Sequence, residues 1–330
     1  MSFGAGEVDE ATSDEGSHGA ARDFPPLPGR AWFLSGATAS GKSAVALRLA
    51  ERIGAEILSL DSMALYRGLD IGTAKPTEVE RARVPHHLVD VLEPQQDYSL
   101  ADYVANAHQE VERIRARGRE PLFVGGTPLY LKALLRGIFT GPAADWELRQ
   151  RLAQEPAGAL HARLAEIDPA AAARLHPNDT RRLIRALEVF EKTGQPISVW
   201  QQQFNRVRPA DACRVFVLDW PAEPLRQRID RRVEQMFAGG LVDEVRGLLA
   251  RGVAFGRTAS QAVGYREVLE HLAGKLDLPK TVEMVQFATH RFARRQRTWF
   301  RSLAECRTIP MTPDRTPDEL AALIAAAGSL

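Results

Sequence analysis

GATASGKS occupies residues 36–43, from Gly36 to Ser43, directly after the apolar run Ala31-Trp32-Phe33-Leu34. An apolar run, a glycine-punctuated loop and an amphipathic stretch (Ala44, Val45, Leu47, Leu49, Ala50, Ile53) read together as strand, phosphate-binding loop and helix. Gly36 and Gly41 let the backbone curl so that the loop's amides, those of Thr38, Ala39, Ser40, Gly41, Lys42 and Ser43, face an anion. Lys42 adds a cation, and the Ser43 hydroxyl suits a magnesium ion. The loop predicts a polyphosphate ligand without fixing a reaction.

Working outward, Ala55-Glu56-Ile57-Leu58-Ser59-Leu60 predicts a second buried strand that delivers Asp61 and Ser62 at its C-terminal end. Residues from Tyr66 to Leu92 read as a loop-rich excursion. Ser99 to Arg117 has helical spacing, and Pro121-Leu122-Phe123-Val124 predicts a third strand, broken by Gly125-Gly126-Thr127 before a helix from Leu129 to Leu135. From about Gly141 to Asp211 the strand signal stops and the text is helical. It returns at 214–219, is followed by helical patterns over about 223–250, 259–273 and 280–301, and closes on a short strand near 306–309. The expected fold is α/β, a P-loop NTPase-like doubly wound parallel sheet with a helical insertion. The expected division is an acidic disordered tail over 1–24, a catalytic core from 25–140 and 212–330, and a helical insertion at 141–211.

Composition narrows the classes. With 330 residues, 45% apolar and 26% charged, the chain can bury a substantial core. Its two cysteines, Cys213 and Cys306, form no CxxC and no zinc pattern, which points to a reducing, cytoplasmic setting. No stretch approaches the roughly 18 apolar residues of a membrane span. The net charge of +1 does not advertise nucleic acid, so local clusters must carry any such reading. A monomer is expected.

Three classes can use such a loop. A nucleoside or nucleotide kinase would place Lys42 on the transferred phosphates, with Asp61 or Asp219 oriented toward magnesium. A GTPase needs an NKxD motif, and none occurs. A third class cradles the diphosphate of an activated donor, so that a carbon–oxygen bond breaks and diphosphate leaves whole.

Further motifs decide among them. The run from Asp61 to Pro76, DSMALYRGLDIGTAKP, closely resembles the segment after the second strand in tRNA dimethylallyltransferases. GATASGKS is similar to that family's GPTASGKT, Val84-Pro85-His86-His87-Leu88 to its PHHL, and Gly125 to Tyr130 to its GGTxLY. Arg182 to Glu188 resembles its RLIRALE, Ala262 to Glu267 its AxGYxE, and Arg295 to Arg301 its RQxTWxR. The resemblance runs in order from about Arg30 to Pro310. Ala37, Ser43 and Pro128 depart from the family's commoner residues, but Ser43 keeps the hydroxyl and position 37 serves through its backbone.

The resemblance implies transfer of a dimethylallyl group from dimethylallyl diphosphate to N6 of the adenosine 3′ of a tRNA anticodon, with magnesium as cofactor. Asp61 and Thr127 are then the expected catalytic residues, Asp61 taking the proton of the amine, and residues Gly36 to Ser43 hold the diphosphate. Contacts to the tRNA anticodon stem-loop are expected from Asp61, Ser62, Met63, Ala64 and Thr127, and from Arg149. They are also expected from Arg181, Arg182, Leu183, Ile184 and Arg185, and from Gln261, Ala262, Val263, Gly264, Tyr265 and Arg266, where Tyr265 would offer a flat face. Arg291, Arg294 and Arg301 recur at helical spacing, with Phe287, Phe292, Trp299 and Phe300 as expected apolar anchors. His86 and His87 are expected to be structural.

Overall fold

The computed structural model describes residues 24–27, 29–138, 141–202 and 207–329. The tail expected over 1–24 lies outside the described residues except for Phe24.

Six parallel strands form one sheet in the order β3-β2-β4-β1-β5-β6. They are β1 (Trp32–Gly36), β2 (Ala55–Ser59), β3 (His86–His87), β4 (Glu120–Gly125), β5 (Val215–Asp219) and β6 (Arg307–Pro310). The near-continuous apolar runs follow from this setting, because helices cover both faces and leave no polar side. Alternate residues divide between two cores: Phe33 faces one, Trp32 and Leu34 the other. The first core is closed by α3 (Leu100–Ala116), α4 (Pro128–Arg136), α11 (Leu241–Ala250) and α12 (Tyr265–Leu272). The second is closed by α1 (Lys42–Ile53), α10 (Ala222–Ala238), α13 (Leu278–Arg301) and α14 (Pro317–Gly328). Among the described residues no helix is long and apolar enough to cross a membrane.

The segment read as a loop from Tyr66 to Leu92 is more ordered than expected. It holds α2 (Glu78–Arg83), started by a capping box between Thr77 and Glu80, and the edge strand β3. His86 Nδ1 lies 2.7 Å from the Val84 carbonyl oxygen, and His87 Nε2 lies 2.7 Å from Glu56 Oε2, so both side chains are engaged in scaffolding.

Where the strand signal stops, α5 (Trp146–Leu152), α6 (Ala157–Ile167), α7 (Pro169–Ala172), α8 (Thr180–Thr193) and α9 (Ile197–Trp200) follow one another. Leu148, Leu152, Leu160, Leu164, Leu183, Leu187 and Ile197 bury against each other as a third core, each contributing about 1.5–3 kcal/mol. At its centre the fully buried Glu188 accepts from the Asp145 amide (2.7 Å) and from Arg149 Nε and Nη2 (2.9 and 2.8 Å), and pairs with Arg185.

The register aligns Ser35 with Gly125 and Ser59 with Val124. The C-terminal ends of β1, β2 and β4 therefore lie side by side, the edge at which open parallel sheets bind ligands. Close approach explains the glycine pair after β4: a Cβ on Gly125 would sit 2.2 Å from the Leu60 carbonyl oxygen. That contact brings the turns after β2 and β4 together.

Candidate active site

The loop after β1 curls as its glycines allow. Ala39 and Gly41 take left-handed backbone (φ 62° and 88°), and Ser40 N donates to the Ala37 carbonyl. Gly41 precedes α1, whose first turn has neither a side-chain cap nor an acidic residue, so its N-terminus is open to an anion. The outer side of the loop is held by its neighbours. Trp220 Nε1 donates to the Ser40 carbonyl (3.0 Å), Arg228 Nε to the Ala39 carbonyl (2.8 Å), and Thr38 N donates to Gln296 Oε1 (2.9 Å). Ser43 is exposed at the start of α1.

Lys42 is only partly shielded from solvent as a whole, yet its ammonium sits inside the loop. Nζ donates to the carbonyls of Gly36 (2.9 Å) and Ala37 (2.8 Å), and no carboxylate pairs with it among the described residues. Burial pushes its pKa down to about 7, with Arg232 adding repulsion and the Asp61 charge opposing both. Arg232 of α10 is itself held below its usual range by burial, again against Asp61. Lys42, Arg232 and Asp61 thus share one electrostatic enclosure.

Asp61 stands just past β2. Its Oδ1 accepts from Met63 N (2.8 Å), closing a tight turn, and its own amide donates to Ser59 Oγ (3.3 Å). Thr127 starts α4, but its hydroxyl does not cap that helix. Thr127 Oγ1 accepts from Ser62 N (3.1 Å), and Thr127 N donates to the Leu60 carbonyl (3.1 Å). The turn bearing Asp61 is therefore tied to the broken end of β4. Behind it Tyr103 and Tyr130 stack with ring centroids 3.8 Å apart, and burial raises both phenols, with Asp61 among the charges that add to it. An apolar wall stands beside the carboxylate.

Several expected contacts fall elsewhere. Leu183 and Ile184 are buried in the third core, and Ala64 and Ala262 are also enclosed, so none of these side chains is open to a partner. The Tyr265 ring is fully buried: its hydroxyl donates to Glu244 Oε1 (2.6 Å) and accepts from Gly72 N (3.1 Å). A phenol at that position finds two polar partners inside, which outweighs any exposed stacking role. Arg149 and Arg185 are committed to Glu188, and Asp219 to Arg297 Nε (2.9 Å) and Arg301 Nη2 (3.0 Å). Phe287 is 58% exposed and carries the Arg291 guanidinium over its ring (5.7 Å to the centroid), whereas Phe300 is buried. Met63 and Val263 are half-buried, Gly264 is buried with left-handed backbone (φ 93°), and Arg181, Arg182, Gln261 and Arg266 are exposed.

Two site residues escaped the sequence reading. Arg232 lies on α10 beside the buried Ile229 and Val233, a cation on an apolar face that could have been noticed. Gln296 lies between the buried Ala293 and Phe300 on α13, within a motif read only for its arginines and aromatics.

A family model described as IPP transferase matches residues 64–303. The chain is 48% identical over 309 residues to a tRNA dimethylallyltransferase of Rhodopirellula baltica, covering 89% of this chain and 92% of that one. It is 45% identical over 277 residues to the tRNA dimethylallyltransferase of Geobacter metallireducens, covering 83% and 90%. Among solved structures, it superposes on the full-length tRNA isopentenylpyrophosphate transferase of Bacillus halodurans with TM-score 0.64 at 38% identity, covering 89% and 95%. A eukaryotic dimethylallyltransferase acting on tRNA gives TM-score 0.73 at 26% identity, over 89% of this chain and 77% of that one.

Proposed function

The chain belongs to the IPP transferase family and is a tRNA-prenylating enzyme, and from that premise we propose how its own residues perform the transfer. The donor is dimethylallyl diphosphate and the acceptor N6 of the adenosine 3′ of the anticodon. The nucleoside or nucleotide kinase reading, which the loop alone left open, is not favoured, since the relatives above are named as transferring a prenyl group to tRNA.

The observation that carries the assignment is that the turn bearing Asp61, tied to Thr127 through Ser62 N (3.1 Å), and the anion loop, tied to Gly126 through Gln296, meet at one sheet edge, where Lys42 and Arg232 feel the Asp61 charge. The C–N bond forms as the carbon–oxygen bond to diphosphate breaks, its electron pair leaving on oxygen. Positive charge gathers on N6 and negative charge on the diphosphate. The amides of Ala39 and of Gly41 to Ser43 in the loop, with Lys42 and Arg232, stabilise the departing anion, and Asp61 takes the N6 proton. Thr127 holds the turn that carries Asp61 through Ser62 N. The apolar wall at Tyr103 and Tyr130 lowers the local dielectric and strengthens these interactions.

A divalent metal ion fits the donor set. Ser43 offers an exposed hydroxyl beside the anion loop, and magnesium keeps several waters and takes its remaining oxygens from phosphate. Among the described residues no cluster of His, Cys, Asp and Glu could cage a metal unaided. Magnesium bound there would add charge stabilisation at the leaving group.

For the RNA, we read residues 141–211 as an insertion that guides the anticodon stem-loop over the edge of the 25–140 and 212–330 core. Arg181 and Arg182 are exposed, and the charges of Arg174 and Arg182 reach Lys132 of α4, whose pKa falls by burial first and then by Arg136 and these two. A cavity of about 280 Å³ opens there, lined by Lys132, Arg136, Thr298, Trp299, Ser302 and Leu303. Lys132 lines that space from α4 beside Arg136, which pairs with Glu305 (2.8 Å), and the positive charges of the insertion add to it from outside the lining, a basic setting that suits phosphate. A single copy of the chain holds every residue invoked, and action on tRNA implies the cytoplasm.

Asp61→Asn tests the assignment. Its kcat for prenyl transfer should fall about 1000-fold, within the range for losing a general base, while tRNA affinity in a filter-binding assay stays near wild type. Near-normal turnover would remove Asp61 from the proton-accepting role.

A further inference from the structure

Gln296 is 3% exposed, and a buried amide is costly unless both of its ends are met. Each end is met by backbone of a different site segment. Oε1 accepts from Thr38 N in the anion loop (2.9 Å), and Nε2 donates to the Gly126 carbonyl (2.6 Å) at the broken end of β4. A Cβ on Gly126 would lie 2.5 Å from Nε2, so the absence of a side chain at 126 is what lets the amide in. Leucine or methionine would fill an apolar stripe between Ala293 and Phe300 better than an amide does, and packing alone gives no reason for glutamine here.

The two bonds have consequences on both sides. Thr38 N is spent on Gln296 and Ser40 N on the Ala37 carbonyl, so the amides of Ala39 and of Gly41 to Ser43 remain to receive the diphosphate. The Gly126 carbonyl is pinned, which fixes the next peptide, and Thr127 in turn holds Leu60 through its amide and Ser62 through its hydroxyl. A continuous path runs from the anion loop through Gln296, Gly126 and Thr127 to the turn that carries Asp61. The helix supplying the amide is anchored alongside by Arg297 and Arg301 on Asp219.

We propose that Gln296 is a positioning residue that sets the separation between the leaving-group cradle and the proton acceptor. This rests on the prenyl-transfer reading. Nucleophile, carbon and leaving group must lie in line across that gap, and a misplacement of about 1 Å can cost roughly 100-fold in rate. The role is distinct from binding either substrate, because among the described residues both hydrogen bonds of the Gln296 side chain go to protein backbone.

The test uses the full chain with unmodified tRNA and dimethylallyl diphosphate, measuring kcat and both KM values for wild type, Gln296→Leu and Gln296→Glu. The glutamate variant keeps an acceptor for Thr38 N but replaces the donor facing Gly126 with a second acceptor. In a variant whose circular dichroism matches wild type, kcat should fall about 100-fold while KM for dimethylallyl diphosphate changes by less than about threefold. A kcat within about threefold of wild type, or a loss carried wholly by KM, overturns the proposal. Should the leucine variant fail to fold, the glutamate variant and Gly126→Ala, which crowds the same contact from the other side, are judged by the same limits. Wild-type protein that transfers no prenyl group would instead sink the underlying reading, before any variant is compared.

Discussion

Lys42 and Lys75 are both drawn into the protein, and the fold meets them in opposite ways. The Lys75 side chain is 2% exposed, and its Nζ pairs with Asp70 (2.7 Å) and with Asp90 while donating to the Tyr66 carbonyl (2.5 Å). Asp90 also receives Arg81 Nη2 (2.8 Å), and against burial, which works the other way, hydrogen bonds from Lys75 and Arg81 hold its carboxyl below the usual range. Among the described residues Lys42 finds two carbonyls and the Ser40 hydroxyl (3.5 Å) but no carboxylate, with Arg232 nearby to repel it. Where the chain uses a lysine as a strut, it supplies the counter-charge. Where it leaves one without a paired carboxylate in a glycine loop, the missing charge belongs to a ligand.

Removing each ammonium should therefore have opposite signatures. Lys42→Met is expected to lower kcat for prenyl transfer 100–1000-fold, about 3–4 kcal/mol of barrier, as for other lost donors to a developing anion. Urea unfolding of the same variant should show no loss of stability, because a cation that burial penalises has been replaced by an apolar chain. If Lys42→Met destabilises the fold as strongly as its counterpart at 75, the contrast is broken.

Lys75→Met should do the reverse, costing about 2 kcal/mol of stability, below the usual figure for a severed buried pair because Asp70 and Asp90 keep solvent contact and Arg81 remains on Asp90. Transfer per folded molecule should stay within about threefold of wild type, measured under conditions where both proteins are folded. A collapse of kcat at unchanged stability would move Lys75 from scaffold to site.

The two lysines also mark what sequence alone can resolve. The place of the Gly36–Ser43 loop after β1 is legible because strand, glycines, lysine and helix are contiguous, and the place of Asp61 and Thr127 at the same sheet edge because each follows an apolar run. Lys75 stands in an equally recognisable stretch, yet its partner Asp90 lies outside that stretch and no local pattern joins them. Gln296 and Arg232 act across the sheet edge, where their role depends on which helix packs over the loop. Tyr265 was misjudged for the same reason: Glu244 and Gly72, which enclose its hydroxyl, come from separate segments. The edge strand at His86–His87 is too short to produce a period. The capping box at Thr77 and Glu80 stands in the sequence too, but so short a polar helix has no apolar stripe, and the segment reads as a loop.

The smallest expected effect examines the charge of Lys42 directly. In the free protein its pKa is near 7, below the 10.5 of an exposed lysine, so the unfolded chain binds more protons than the folded one between those values. Its burial therefore costs stability at low pH, and the penalty is relieved as pH rises from 7 toward 10.5. A bound diphosphate reverses the preference, since an adjacent anion favours the ammonium. At pH 8 binding of inorganic diphosphate should then draw in close to one proton at Lys42, and affinity should fall by up to about tenfold per pH unit above 7. Diphosphate titrates in this range too, so the quantity to read is the difference between wild type and Lys42→Met, from calorimetry in two buffers of unlike ionisation heat. A difference of about one proton means that the ligand brings the charge Lys42 lacks. A difference of zero means that Lys42 is already ionised without a counter-ion, and the distinction between the two lysines would then rest on their partners alone.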